Sequence, residues 1–162
     1  MTANKKNTSA DAELSPLERC KKAAVSILNR RPLSEHELRQ KLAEKGHDRA
    51  DIDTVIALCL DYGFLDDAQY AGIVARYYAA KSYGAGRIKI EFKKRGIAED
   101  YWADALDALD SPADTLDRLL AAKLRGKDPD DRKEIEKAGA SLFRKGYSWD
   151  EIRAAVNRYK NT

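Results

Sequence analysis

The chain has 162 residues, 30 of them lysine or arginine and 27 aspartate or glutamate, for a net charge of +3 and with two cysteines. No apolar run approaches the roughly 20 residues that span a bilayer, and the N-terminal stretch lacks the apolar core of a secretory signal, so no membrane contact is expected and the expected location is cytoplasmic. Cys20 and Cys59, with no Cys-x-x-Cys pair and no histidine at ligand spacing, read as reduced core residues rather than a redox or metal site.

Residues 1–14 are polar and aperiodic and read as a disordered segment. Ser15-Pro16-Leu17-Glu18 then joins a capping serine, a proline at the first helical position and a glutamate three residues past the cap, which starts a helix. Leu17, Cys20, Ala24, Ile27 and Leu28 share its inner face, and Pro32 ends it. Ser34 with Glu37 is a second capping box, opening a helix that turns Leu38 and Leu42 inward and closes at Gly46. After Asp48 a third helix presents Ile52, Val55, Ile56, Cys59 and Leu60 on one stripe and stops at Gly63. Asp66 and Asp67 cap the next helix, whose expected inward residues are Tyr70, Ile73, Val74 and Tyr77. Tyr83-Gly84-Ala85-Gly86 breaks it, the following helix to Arg95 buries Ile88 and Phe92, and Trp102, Ala105, Leu106 and Leu109 face inward from the next. Ser111-Pro112 and Asp128-Pro129 each read as a cap followed by proline, starting helices that carry Leu116, Leu119, Leu120 and Leu124, then Ile135, Ala138 and Leu142. Ser148 with Glu151 is the last capping box, before Ile152, Ala155, Val156 and Tyr159.

A period runs through these elements. Gly46, Gly96 and Gly146 each follow a basic residue, have an apolar residue four positions before them (Leu42, Phe92, Leu142) and another six after (Ile52, Trp102, Ile152). Glycine ends a helix in the left-handed conformation without a Cβ clash, and the preceding cation meets the negative helix end. The next residue (His47, Ile97, Tyr147) is placed to staple onto the following helix, while Ala98 is the weakest of the three caps. Self-similarity at this spacing marks a repeat architecture. The chain therefore reads as all-α, with about nine helices in three tandem three-helix, helix-turn-helix-like repeats at residues 15–65, 66–110 and 111–162. Units this small need one another for support.

The constellations of an enzyme are absent. Gly84-Ala85-Gly86 follows a helix and lacks the lysine and hydroxyl of a P-loop. His36 and His47 have no nucleophile to activate, and capping accounts for Asp66 and Asp67. No catalytic residue, metal or cofactor is expected. Most aromatic residues fit core spacing, which leaves Tyr78, Tyr83 and Trp149 as open candidates for stacking on bases. Between Lys81 and Arg95 stand six basic residues (Lys81, Arg87, Lys89, Lys93, Lys94, Arg95) and one acidic residue, Glu91, and the third repeat holds twelve basic and nine acidic. With Arg132, Arg144 and Lys145 these are the candidate phosphate- or partner-binding residues, against the plain alternative of a solvated helix surface.

The run Glu37 to Leu42 with Lys45-Gly46, the segment Leu65 to Ala71, and Tyr83-Gly84 with Arg87-Ile88 and Arg95-Gly96-Ile97 together resemble the RecX family, bacterial regulators of the RecA recombinase. The resemblance covers roughly residues 17–160. It implies a monomer of three tandem three-helix repeats in an elongated, curved arrangement, lodged in the groove of the RecA filament on DNA. It further implies restraint of filament extension, ATP hydrolysis and strand exchange in recombination, DNA repair and the SOS response, with weak, salt-dependent contact to single- and double-stranded DNA. Two other readings fit the same residues: an autonomous helix-turn-helix-like DNA-binding module, and a helical-repeat scaffold with no nucleic-acid role.

Overall fold

The computed structural model describes residues 12–162. The segment expected to be disordered lies outside the described residues, except for 12–14, which form a turn. Every regular element among the described residues is helical. In order they are α1 (Pro16–Leu28), α2 (Glu35–Glu44), α3 (Arg49–Asp61), α4 (Asp67–Ala80), α5 (Ala85–Lys94), a 3-10 turn at Glu99–Tyr101 leading into α6 (Trp102–Asp107), α7 (Ala113–Leu124), α8 (Arg132–Arg144) and α9 (Trp149–Lys160). None of them is long and apolar enough to cross a membrane. The described residues pack as two compact units, one of residues 12–70 with Arg95–Ile97, the other of Ala71–Lys94 with Ala98–Thr162.

In the first unit, both expected capping boxes form. Ser15 Oγ accepts from the Glu18 amide while the Glu18 carboxylate accepts from the Ser15 amide, and Ser34 and Glu37 repeat the exchange. Asp48 stands at the N-cap of α3 in extended backbone but makes no side-chain bond there. Leu38 and Leu42, four apart on α2, are completely buried with Cys20, Ala24, Ile52, Val55, Ile56 and Cys59. Each such leucine contributes about 1.5 to 3 kcal/mol of hydrophobic stabilisation. Leu60 is exposed rather than inward, because the buried stripe of α3 closes at Cys59 and the next residue is turned about 100° away from it. Of the two aspartates before α4, only Asp66 caps it, accepting from the Gln69 amide at 2.9 Å. Asp67 reaches instead to the first turn of α2 and accepts from the Glu35 amide at 2.9 Å. Burial pushes the Asp67 carboxyl above the usual carboxylate range, with the Glu35 amide opposing.

In the second unit, α4 buries Ala71, Val74 and Ala75, while Ile73 and Tyr77, expected inward, are exposed. The phenol of Tyr77 stays at the surface, where its oxygen lies 2.5 Å from Lys81 Nζ. Ile88 and Phe92 of α5 are buried as expected, and Trp102 sits 5.7 Å from Phe92 between ring centres. The weak cap has a structural consequence: Ala98 has no side chain to bond the exposed amides, and the chain leaves it as a 3-10 turn before α6 begins.

The last three helices pack around Leu116, Leu120, Leu124, Leu142, Tyr147 and Ile152. Two expected helix starts are displaced. Pro112 itself takes the N-cap position of α7 in helical conformation, with Ser111 Oγ 3.4 Å from the Ala113 amide. The helix expected after Asp128 begins only at Arg132: Asp128 closes a local turn by accepting from the Asp130 amide, and Asp131 caps α8 through the amides of Lys133 and Glu134. An aspartate that bonds two residues on makes a turn, whereas one aimed at two successive free amides makes a cap.

Candidate functional site

The glycine turns join successive repeats. In the first unit, Ser34, already the cap of α2, also donates through its hydroxyl to the Arg95 carbonyl. Gly96 follows at φ +64, with the His36 ring covering the side from which a Cβ would project. In the second unit the amide of Gly84 donates to the Lys145 carbonyl and that of Gly86 to the Gly146 carbonyl, both at 2.9 Å. A Cβ on Gly84 would lie 2.5 Å from the Gly146 backbone, and one on Gly146 (φ +101) would run into the Arg87 nitrogen. Here two backbones touch, and only glycine permits it.

Around this second junction several candidate residues converge. Ser82, held at φ +63, offers its carbonyl to the Tyr147 hydroxyl at 3.0 Å and to Lys145 Nζ at 3.4 Å. Non-glycine backbone in that region costs on the order of 1 kcal/mol, which these two donors help to offset. Lys145 Nζ stands 4.6 Å from the centre of the Tyr83 ring and the Arg87 guanidinium 5.6 Å from it, so cations from two repeats contact one aromatic ring. Glu91, only 4% exposed, accepts from the Tyr78 hydroxyl at 3.0 Å and pairs with Arg87 at 3.0 Å and Lys94 at 3.5 Å. Arg87 Nε is buried with no hydrogen-bond partner.

The basic residues singled out from the sequence thus divide. Arg87, Lys94 and Lys145 are engaged within the second unit, and Lys81 lies over the Tyr77 ring at 4.3 Å. Arg95 belongs to the first unit, where it contributes its carbonyl to Ser34 and its positive charge acts on the hydroxyl of buried Tyr70. Arg132 pairs with Glu136 at 2.8 Å on the surface. Lys89, Lys93 and Arg144 are exposed. Sequence reasoning misses the role of Glu91, although its position four residues after Arg87 and three before Lys94 is the spacing at which helical side chains meet.

Aromatic placement also departs from expectation. Tyr62, Phe64 and Tyr77 are exposed rather than buried. Tyr62 and Phe64 sit on the turn around Gly63, with ring centres 6.3 Å apart. Tyr78 and Tyr83 are half-buried by the contacts above, and Trp149 is exposed but stacked on Phe143 at 5.1 Å. The chemistry on offer is charge and hydrogen bonding. Burial pushes the thiols of Cys20 and Cys59 up, away from the thiolate form that reacts.

Comparison with known proteins accounts for this arrangement of repeats. Three family models match in chain order: the first three-helix domain of RecX at residues 20–59, the second at 66–106 and the third at 112–156. A protein named Regulatory protein RecX from Vibrio campbellii is 39% identical over 140 residues, covering 85% of this chain and 89% of the relative. Another of that name from Halorhodospira halophila is 32% identical over 142 residues, covering 86% and 87%. The fold is that of the crystal structure of RecX from Lactobacillus salivarius, which superposes with a TM-score of 0.80 at 23% identity over 91% of this chain and 98% of that one. The chain belongs to the RecX family of regulatory proteins.

Proposed function

We propose that this protein is a non-catalytic, monomeric, cytoplasmic regulator of the RecA recombinase that lodges in the groove of the RecA filament on DNA. There it restrains filament extension, ATP hydrolysis and strand exchange. The observation that carries the reading is the match of all three family domains in order along the chain. Physical chemistry supports it from a second side. One repeat touches little of a filament, but linked weak contacts multiply through effective concentration when geometry lets them engage together. Cations in more than one repeat, including Lys89 and Lys93 on α5 and Arg144 on α8, supply such contacts.

Co-sedimentation with RecA filaments on single-stranded DNA, beside the same DNA alone, at two salt concentrations, tests the reading. Retention on filaments well above retention on bare DNA is expected. Equal retention on both, falling steeply with salt, favours the autonomous DNA-binding module instead. Changing Lys89 and Lys93, the two exposed lysines of α5 outside the Glu91 cluster, together to glutamine is expected to weaken filament binding without moving the melting temperature. Unchanged binding returns these residues to a solvated surface.

A further inference from the structure

In the first and third repeats the first and middle helices border a groove, and the middle repeat places a different residue at the corresponding position. In the first unit, α1 and α2 border a concavity of about 450 Å³ lined by Arg30, Arg31, Lys41 and Lys45 against one acid, Glu44. In the second unit, α7 and α8 border one of about 270 Å³ lined by Lys123, Lys127, Lys137 and Arg144 against one acid, Glu134. Two of these cations are already committed: Arg31 pairs with Glu37 at 3.4 Å, and Lys127 with Glu134. Arg30, Lys41, Lys45, Lys123, Lys137 and Arg144 belong to no ion pair within the described residues. In the middle repeat the corresponding position, fifty residues after Lys41 and fifty before Ser141, is Glu91. There the carboxylate engages the Tyr78 hydroxyl, Arg87 and Lys94.

We infer that the α1/α2 and α7/α8 grooves are two phosphate-binding sites that hold the phosphodiester backbone of nucleic acid, while the middle repeat has closed its own with Glu91. Each groove sets cations on two walls, outnumbering its single acid four to one, and three of the four are in no ion pair. Neither is lined by an aromatic side chain, so each lacks an aromatic protein–protein anchor and a platform for stacking bases. A recess that is basic, concave and without aromatics fits a repeated anion and reads no sequence. The choice of nucleic acid over another polyanion rests on the function proposed above.

The test measures binding of the full chain to a fluorescent 30-nucleotide oligothymidylate, without RecA, across a salt series. One variant carries Lys123→Gln, Lys137→Gln and Arg144→Gln, a second Arg30→Gln, Lys41→Gln and Lys45→Gln. A third removes as many charges outside both grooves, through Lys21→Gln, Arg49→Gln and Arg153→Gln. With three phosphates no longer neutralised, each groove variant is expected to flatten the slope of log K against log salt by about 2 and to bind about 100-fold more weakly near 0.1 M salt. The third variant is expected to stay within about threefold of the parent, and melting curves must show all three folded. An equal loss in all three overturns the grooves in favour of net charge alone. Retained oligonucleotide affinity with lost RecA-filament binding also overturns them, assigning the cations to an acidic protein surface. If the parent binds DNA through the grooves but ignores RecA filaments, the regulatory reading fails and the grooves stand.

Discussion

The turn Arg95-Gly96-Ile97 in the first unit and the turn Lys145-Gly146-Tyr147 in the second occupy equivalent places in the repeat, and each receives the start of the preceding middle helix. The first is joined through side chains, the Ser34 hydroxyl and the His36 ring. The second is joined through bare backbone, Gly84 and Gly86 on Lys145 and Gly146. A third equivalent turn, at Gly46, has φ +86 and open space, with nothing within 4 Å of where a methyl group would project. One sequence motif therefore carries two separable demands: ending a helix, which all three glycines meet, and admitting a neighbour, which only two do.

Valine substitutions along this series separate the demands. Gly146→Val carries the largest expected effect, about 3 to 6 kcal/mol, because backbone strain adds to a clash with the Arg87 backbone that cannot move alone. Thermal unfolding followed by circular dichroism measures it. Gly96→Val meets the His36 ring and, at 2.5 Å, its Cβ, which no side-chain rotation moves, so strain and clash together are expected to cost about 2 to 5 kcal/mol. Ser34→Ala removes a helix cap and the donor to the Arg95 carbonyl, and a loss of about 1 to 2 kcal/mol in a urea titration is expected. Gly46→Val should cost only about 1 to 2 kcal/mol, the strain of left-handed backbone with open space around it. Equal losses at 46 and 146 would dissolve the distinction between the two demands.

The smallest effect concerns pH. Asp67 is an acid whose folded-state pKa is raised by burial, so its protonated form is the better accommodated one and its contribution declines as pH rises through and above the usual carboxylate range. Asparagine keeps an acceptor for the Glu35 amide without the charge. Asp67→Asn is therefore expected to flatten that decline in melting temperature between about pH 4 and 7, leaving the acid limit unchanged. A steeper decline in the variant would mean that the charged carboxylate is the form the fold prefers.

Local signals carry most of the fold. The serines at 15, 34 and 148 each stand three residues before a glutamate, and all three capping boxes form, because that device is complete within four residues. The start of α8 is not legible in the same way: Asp128-Pro129 and Asp131 offer the same chemistry, and only the aim of the side chains separates turn from cap. The inward stripe of α4 lies one step from where periodicity sets it, since Tyr77 has the size of a core residue while Ala71 and Ala75 have the fit. For the site, the sequence exposes the abundance of cations but not their partners. Glu91 engages Arg87 and Lys94, and the grooves bring Arg30 beside Lys41, and Lys123 beside Lys137, across a chain turn that no linear pattern measures.

The bond from Ser34 to the Arg95 carbonyl also sets an order of events during synthesis. Its partners are 61 residues apart, and the three residues that complete the first unit are flanked on both sides by residues of the second. At about 5 to 20 residues per second, Ser34 waits roughly 3 to 12 seconds after its own incorporation for that acceptor to exist. Throughout that interval its hydroxyl and the His36 ring have only water and the α2 cap as company. A nascent chain stalled before Arg95 thus presents an unfinished first unit, which pulse proteolysis of stalled ribosome complexes would register as a protection that rises only once residues 95–97 are free to pack.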